Sequence, residues 1–142
     1  MSLSSIFDIA GSGMNAQSIR LNTTASNLAN AEAASSSIEE TYRGRHPVFA
    51  ALSESGVSAE SPSDGANAGV QVLGIVESQA PLEPRYEPGH PLADDEGYVY
   101  YPNVNVVEEM ANMISASRSF QMNVEVMNSA KQMMQRVLTL GQ

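Results

Sequence analysis

Two histidines, His46 and His90, are the side chains best suited to proton transfer or metal ligation at neutral pH. Each precedes a proline, Pro47 and Pro91, in a stretch with the composition of a loop. They can hold a metal only if folding gathers them with carboxylates. Asp94, Asp95 and Glu96 are contiguous, whereas a calcium loop spreads its oxygen ligands at alternate positions over about 12 residues. Followed by Gly97, the three acids read as a solvated turn. Glu39, Glu40 and Glu60 have no neighbour that suggests acid–base work, and no G-x-S-x-G nucleophile elbow occurs among the serines. The glycines do not form a phosphate loop. Eight methionines can suggest a metal path or an adaptable groove, but they share their rows with phenylalanine and valine, so packing is the better reading. No catalytic, cofactor-binding or metal-ligating residue is assigned, no cofactor is expected, and the chain does not read as an enzyme. A carboxylate–histidine metal site around His90 and Asp94 is the remote alternative.

If no residue carries chemistry, the elements themselves must carry function. Residues 4–30 read as a helix in which Phe7, Met14, Leu21 and Leu28 recur every seven residues, the period of a coiled-coil seam. Ala10, Gln17 and Thr24 follow three later in each repeat, and only the first is apolar, so this second row reads as weak. Ser5 with Asp8 resembles a capping box. Gly11 and Gly13 each cost about 1 kcal/mol inside a helix; a frayed first turn is the preferred reading, ahead of close approach by a neighbouring helix.

Residues 104–139 form the strongest element. Asn103 or Asn105 can cap it, and Glu108 and Glu109 in its first turn suit the helix dipole, as do Lys131 and Arg136 toward its end. Gly141 follows as a stop. Val106, Met113, Phe120, Met127 and Met134 recur every seven residues; Met110, Val124 and Leu138 lie four after members of that row, and Ala116, Ala130 and Val137 three after. A helix of that length measures roughly 54 Å at 1.5 Å per residue. Its stripe must be covered, and the one other long apolar stripe is the N-terminal one. The expected fold is therefore mainly α: an N-terminal coiled-coil helix in 1–31 paired antiparallel with a C-terminal one in 103–142, and a small β-rich insertion over 32–102. The named apolar residues of the two stripes are the candidate subunit interface, because the pair leaves apolar surface for other chains.

Within the insertion, Tyr42 to Leu52 contains a short extended run, held to a sheet edge by Pro47. Val70 to Ser78 and Gly97 to Tyr101 read as strands. Four prolines between Pro81 and Pro91 exclude a helix or a central strand. Residues 53–69 are a low-complexity loop too poor in apolar side chains to offset its ordering entropy.

Charge follows the same division. The net charge of -9 falls on Glu32 to Tyr101, with twelve acidic and three basic residues, while the flanks are neutral. Neutral flanks can pack on copies of themselves, and no basic stripe exists for nucleic acid. No apolar run reaches the ~18 residues of a membrane span. The start lacks the basic region and long apolar stretch of a secretory signal, so the expectation is either a cytoplasmic protein or export by a route needing no cleaved signal. Cysteine and tryptophan are absent, which removes disulfides and thins the usual core-filling aromatics.

The ends carry more than periodicity. Ala25, Ser26, Asn27, Leu28, Ala29, Asn30 and Ala31 spell ASNLANA, which resembles the motif near the N-terminus of bacterial flagellar rod, hook and related axial proteins. Tyr100 to Met110 (YYPNVNVVEEM), Met113 to Gln121 (MISASRSFQ), Asn123 to Val126 and the ending Thr139 to Gln142 are similar to proximal-rod members of that family, as are the short length and Gly74 to Ser78. The resemblance implies a structural subunit of the basal-body rod, the torque-transmitting drive shaft. It implies export through the flagellar type III apparatus without a cleaved signal, and polymerisation in the periplasm. The partners implied are copies of itself, the rod proteins FlgB, FlgF and FlgG, and the rod-base adaptor FliE. The rival reading is a cytoplasmic helical adaptor or secretion chaperone, which would form small closed dimers instead of a filament.

Overall fold

A stretch of 28 residues without proline, Leu3–Asn30, winds into one unbroken helix, α1. In the computed structural model, which describes residues 3–52 and 69–140, α1 is followed by β1 (Arg45–Leu52), β2 (Gly69–Glu77), β3 (Glu83–Tyr86), β4 (Tyr98–Tyr101) and α2 (Val106–Leu140). The architecture is two long helices with a small two-sheet insertion between them. The loop read over 53–69 lies, apart from Gly69, outside the described residues, as does the expected stop at Gly141.

Both N-terminal readings need correction. Ser5 sits inside α1 and is buried, so Ser5 and Asp8 do not cap it. Nor does the helix fray at its glycines. A Cβ at Gly13 would lie 2.9 Å from Asn123 Nδ2, so glycine lets α2 come close there; at Gly11 nothing lies within 4 Å. The end of α1 closes on itself, Asn30 Nδ2 donating to Ser26 O at 2.8 Å and Ala31 N to Leu28 O at 3.3 Å.

Asn105 caps α2: its Oδ1 accepts from the backbone N of Val107 and Glu108 at 3.0 and 3.2 Å. Glu108 and Glu109 occupy the positive end of the helix dipole, as expected. At the other end α2 runs to Leu140 with no base in its last turn, so Lys131 and Arg136 lie too far back to complement the negative pole.

β1 and β2 form one two-stranded sheet, and β3 and β4 another. Both strands of such a sheet are edges, which is how Pro47 fits in β1 and Pro84 in β3. β3 was not anticipated in its proline-rich segment. It pairs antiparallel with β4, Glu83 opposite Tyr101 and Tyr86 opposite Tyr98. Gly97 enters β4 with φ of +85°, the left-handed region glycine tolerates. Asp94 shapes the turn before it, its Oδ1 accepting from Glu96 N and Tyr98 N at 3.0 and 2.8 Å. His90 is a turn residue too, its Nδ1 accepting from Leu92 N at 3.1 Å.

The chain divides into two compact units, one of residues 20–47 and 75–114, the other of residues 1–19, 48–74 and 115–142. Among the described residues, no leucine, isoleucine, methionine or phenylalanine is buried in either unit. The buried residues described in the second unit are Ser5, Ala10, Ala16, Ala116 and Ala130; in the first, Val99 and Asn27 are the largest fully buried side chains.

Candidate subunit interface

The innermost positions of each helix are small or polar. On α1 the buried residues include Ala10 and Thr24, in a seven-residue row that passes through Gln17 and reaches buried Ala31 just past the helix end. This is the row that looked weak in sequence, and the Gln17 Oε1 is enclosed there without a hydrogen-bond partner. On α2, Glu109, Ala116 and Ala130 are buried at the same period, with half-buried Asn123 in step. Small side chains let two helix backbones approach, and that is why they take the centre. The larger residues are pushed to the shoulders. Phe7, Met14, Leu21, Leu28, Val106, Met113, Phe120, Val124 and Met127 are each only half-buried, and Met110, Met134 and Leu138 are exposed. The twelve apolar residues singled out in sequence thus lie beside the buried rows, with surface left uncovered.

In the unit of residues 20–47 and 75–114, one side chain organises what surrounds it. Asn27, 1% exposed, uses both its donors and both acceptor sites. Its Nδ2 donates to Arg45 O at 2.8 Å and to Glu109 Oε2 at 3.2 Å. Its Oδ1 accepts from Tyr42 OH at 2.9 Å and from Arg45 N at 2.8 Å. A carboxamide can satisfy a backbone N–H and C=O of one residue at once, as a neighbouring strand does. Asn27 therefore acts as a one-residue strand for the start of β1 while fixing α2 through Glu109. Arg20 adds a second link between the helices, donating to Asn112 Oδ1 at 2.9 Å.

Asn103 bridges two other backbone segments. Its Oδ1 accepts from Gly44 N at 2.8 Å and its Nδ2 donates to Ala80 O at 2.8 Å. Arg43 reaches the carbonyls of Ser78 and Ala80, and Arg45 lies over the Tyr42 ring while pairing with Glu77 at 3.2 Å. Ser35 and Tyr100 exchange two backbone hydrogen bonds of 3.0 Å, tying the chain after α1 to β4. Burial, and then the charge of Asp94 beside it, raise the Tyr100 phenol above its usual value.

This assigns work to the ASNLANA residues. Asn27 is the hub, Ser26 Oγ lies 3.3 Å from Tyr42 OH, Asn30 closes the helix, and Ala31 is buried. Ala25 and Ala29 are exposed on the opposite face. In sequence Asn103 reads only as a candidate cap and Glu109 only as a first-turn acid, and Tyr42 and Arg45 are given no role; the row of Glu109, Ala116 and Ala130, spaced at multiples of seven, is the signal that could have marked Glu109 as inward-facing. Among the described residues, no three histidines or carboxylates cluster as a metal site requires, and no helix is long and apolar enough to cross a membrane.

Among the described residues the chain shows two long helices with small inner rows, joined by hydrogen-bonded connectors. The family described as flagella basal body rod protein matches residues 7–32, and the C-terminal family of the flagellar basal body rod FlgEFG proteins matches residues 95–140. The chain is 52% identical to the flagellar basal-body rod protein FlgC of Escherichia coli O6:H1 and 51% identical to that of Salmonella typhimurium, over the whole of both chains in each case. It is 34% identical to FlgC of Borreliella burgdorferi, over all of this chain and 99% of that one. The chain belongs to the FlgC family of flagellar basal-body rod proteins, which are structural proteins and not enzymes.

Proposed function

We propose that the chain polymerises with other rod subunits into the torque-transmitting shaft of the flagellum, through the coiled-coil segments 1–31 and 103–142, with 32–102 as the insertion between them. One observation carries this reading. Every residue from Lys131 to Thr139 is exposed, including Met133, Met134, Val137 and Leu138. More than two turns of helix with no cover on any side are marginal in water, so α2 is shaped for a neighbour. Within one unit, Asn27 meets Glu109 and Arg20 meets Asn112, an order that supports antiparallel pairing of α1 and α2. The apolar shoulders, from Phe7 to Leu28 and from Val106 to Leu138, are then the surfaces that neighbours bury.

The partners in this reading are further copies of the chain, the rod proteins FlgB, FlgF and FlgG, and the adaptor FliE. Delivery is through the flagellar type III export apparatus without a cleaved signal, and the working location is the periplasmic rod. The family membership supports all of these, and it gives no support to a cytoplasmic adaptor. The test is restoration of motility in a strain lacking its own FlgC. Swimming cells with this chain in purified basal bodies are expected; a chain that is made and stays in the cytoplasm as a closed dimer would overturn the proposal.

A further inference from the structure

Six of the eight methionines lie on α2, and four of these, Met122, Met127, Met133 and Met134, fall in the unit of residues 1–19, 48–74 and 115–142. Met122, Met133 and Met134 are exposed by 59%, 49% and 37%, and Met127 is half-buried. With no cysteine and no tryptophan in the chain, the methionine thioethers are its most readily oxidised groups. Their placement divides them. Met127 and Met134 are seven residues apart, in the row that also holds Phe120. Met122 and Met133 are eleven apart, three turns of the helix, and lie about 100° or more round it from Met127 and Met134. Resting on the rod-subunit reading above, we infer that Met134 is a reversible oxidation site at which peroxide decides whether a free subunit can enter the rod. Met122 and Met133 are sites at which the same oxidation is tolerated.

The chemistry takes place at sulfur. A thioether lone pair attacks one oxygen of hydrogen peroxide, the O–O bond breaks as the S–O bond forms, and after proton transfer water leaves. Sulfur loses two electrons and the peroxide gains them. A sulfoxide reductase restores the thioether, two thiols becoming a disulfide while the oxygen leaves as water. In the single chain the change costs little. Met122, Met133 and Met134 face solvent, where water satisfies the sulfoxide oxygen. Buried against an apolar neighbour, the same oxygen loses that water and gains no donor, which weakens incorporation by roughly tenfold or more. Position therefore sets the consequence. Met134 shares the row of Phe120, which neighbours bury in the rod reading; Met122 and Met133 do not. The thioether of Met134 is open to oxidant for as long as the subunit is free, and closed to it once a neighbour covers that row.

The test follows the modification in a strain that carries this chain and lacks its own FlgC and its methionine sulfoxide reductases. Cells building rods receive a pulse of hydrogen peroxide. Peptides from the unassembled chain and from purified basal bodies are then compared by mass spectrometry. All three exposed methionines are expected as sulfoxides in the unassembled pool. In rods, the ratio of Met134 to Met122 sulfoxide is expected to fall roughly tenfold or more below its value in the pool. Met134→Leu keeps the apolar surface and removes the sulfur, so it should go on building rods through a pulse that slows the unaltered chain. Met134→Gln carries a permanent polar group and should assemble poorly, while Met122→Gln should assemble normally. The same sulfoxide ratio in pool and rods would overturn the proposal, and so would equal effects of the two glutamines. Absence of the unaltered chain from rods in cells never exposed to peroxide would instead overturn the rod reading itself.

Discussion

Among single residues, Asn27 has the most to lose. Its four hydrogen bonds join backbone and side-chain groups, one of them buried and three part-buried, and each buried group left unpaired costs about 1–3 kcal/mol. Asn27→Ala should therefore destabilise the unit by about 3 kcal/mol or more. The local reading is hydrogen exchange at the Arg45 amide, now bonded to Asn27 Oδ1. It should accelerate by roughly two orders of magnitude, since each 1.4 kcal/mol is tenfold; an unchanged rate would show that Asn27 does not hold β1. Tyr100 gives a second residue-scale prediction. Its phenol lies above the ordinary 10.0 because burial and then the Asp94 carboxylate disfavour phenolate. The folded unit thus holds this proton more firmly than the unfolded chain does. The stabilisation is complete below the ordinary phenol value and is lost as pH rises through the raised one. Chemical denaturation at alkaline pH should show a loss of stability that Tyr100→Phe lacks. Neither role could be read in the sequence. Asn27 stood out as part of a motif, yet its partners Tyr42, Arg45 and Glu109 are far from it along the chain, and only folding brings them within 3.2 Å.

At the scale of elements, periodicity located both helices to within about two residues, because a seven-residue repeat leaves a strong signal over this length. It misplaced their centre. Apolar character ranked Phe7, Met14, Leu21 and Leu28 above Ala10, Gln17 and Thr24, while burial places Ala10 and Thr24 above all four, since closeness of backbones favours the small side chain. Strand β3 was illegible for a related reason: proline argues against pairing in general but not on an edge. The two glycines of α1 make a matched test of this packing. Gly11→Ala meets nothing within 4 Å and should stabilise the isolated chain by up to ~1 kcal/mol. Gly13→Ala sets a methyl 2.9 Å from Asn123 Nδ2, so it should gain less or lose stability, and Asn123→Ala alongside it should restore the gain. Equal effects of the two alanines in urea unfolding would mean that α2 does not approach Gly13. Phe120 tests the shoulder. It is half-buried in the single chain, and if neighbours bury it, Phe120→Asp strands a charge and removes a ring whose truncation alone costs about 3–5 kcal/mol. Export should persist while rod assembly and swimming fail, and Gln121→Asp, on an exposed position one step round the helix, should be milder. Normal swimming by the Phe120→Asp strain would exclude this seam from the working rod.

For the molecule as a whole, the question is what holds two helices of 28 and 35 residues in a chain whose fully buried set contains no leucine, methionine or phenylalanine among the described residues. The fully buried residues are small, so each contributes little of the ~25 cal/mol per Å² that burial of apolar surface provides. Among the described residues many large apolar side chains are exposed, Val107 by 76% and Leu138 by 67%. Such a chain gains most of its apolar burial after it meets neighbours, and a helix without tertiary cover frays readily. The dilute purified chain should therefore show less helix by far-ultraviolet circular dichroism than α1 and α2 together would give. Helicity should rise with concentration or on addition of rod partners, by mass action on the assembled state. Hydrogen exchange localises the effect: amides of Met133 to Leu138 should exchange fastest in the dilute chain and become protected in assembled rods. The network around Asn27 and Asn103 is bonded within one chain, so amides there should stay protected at every concentration. If the dilute chain is instead fully helical, melts cooperatively and protects the end of α2 unaided, then the helix does not depend on neighbours. The exposure of Lys131 to Thr139 would then be no evidence of assembly.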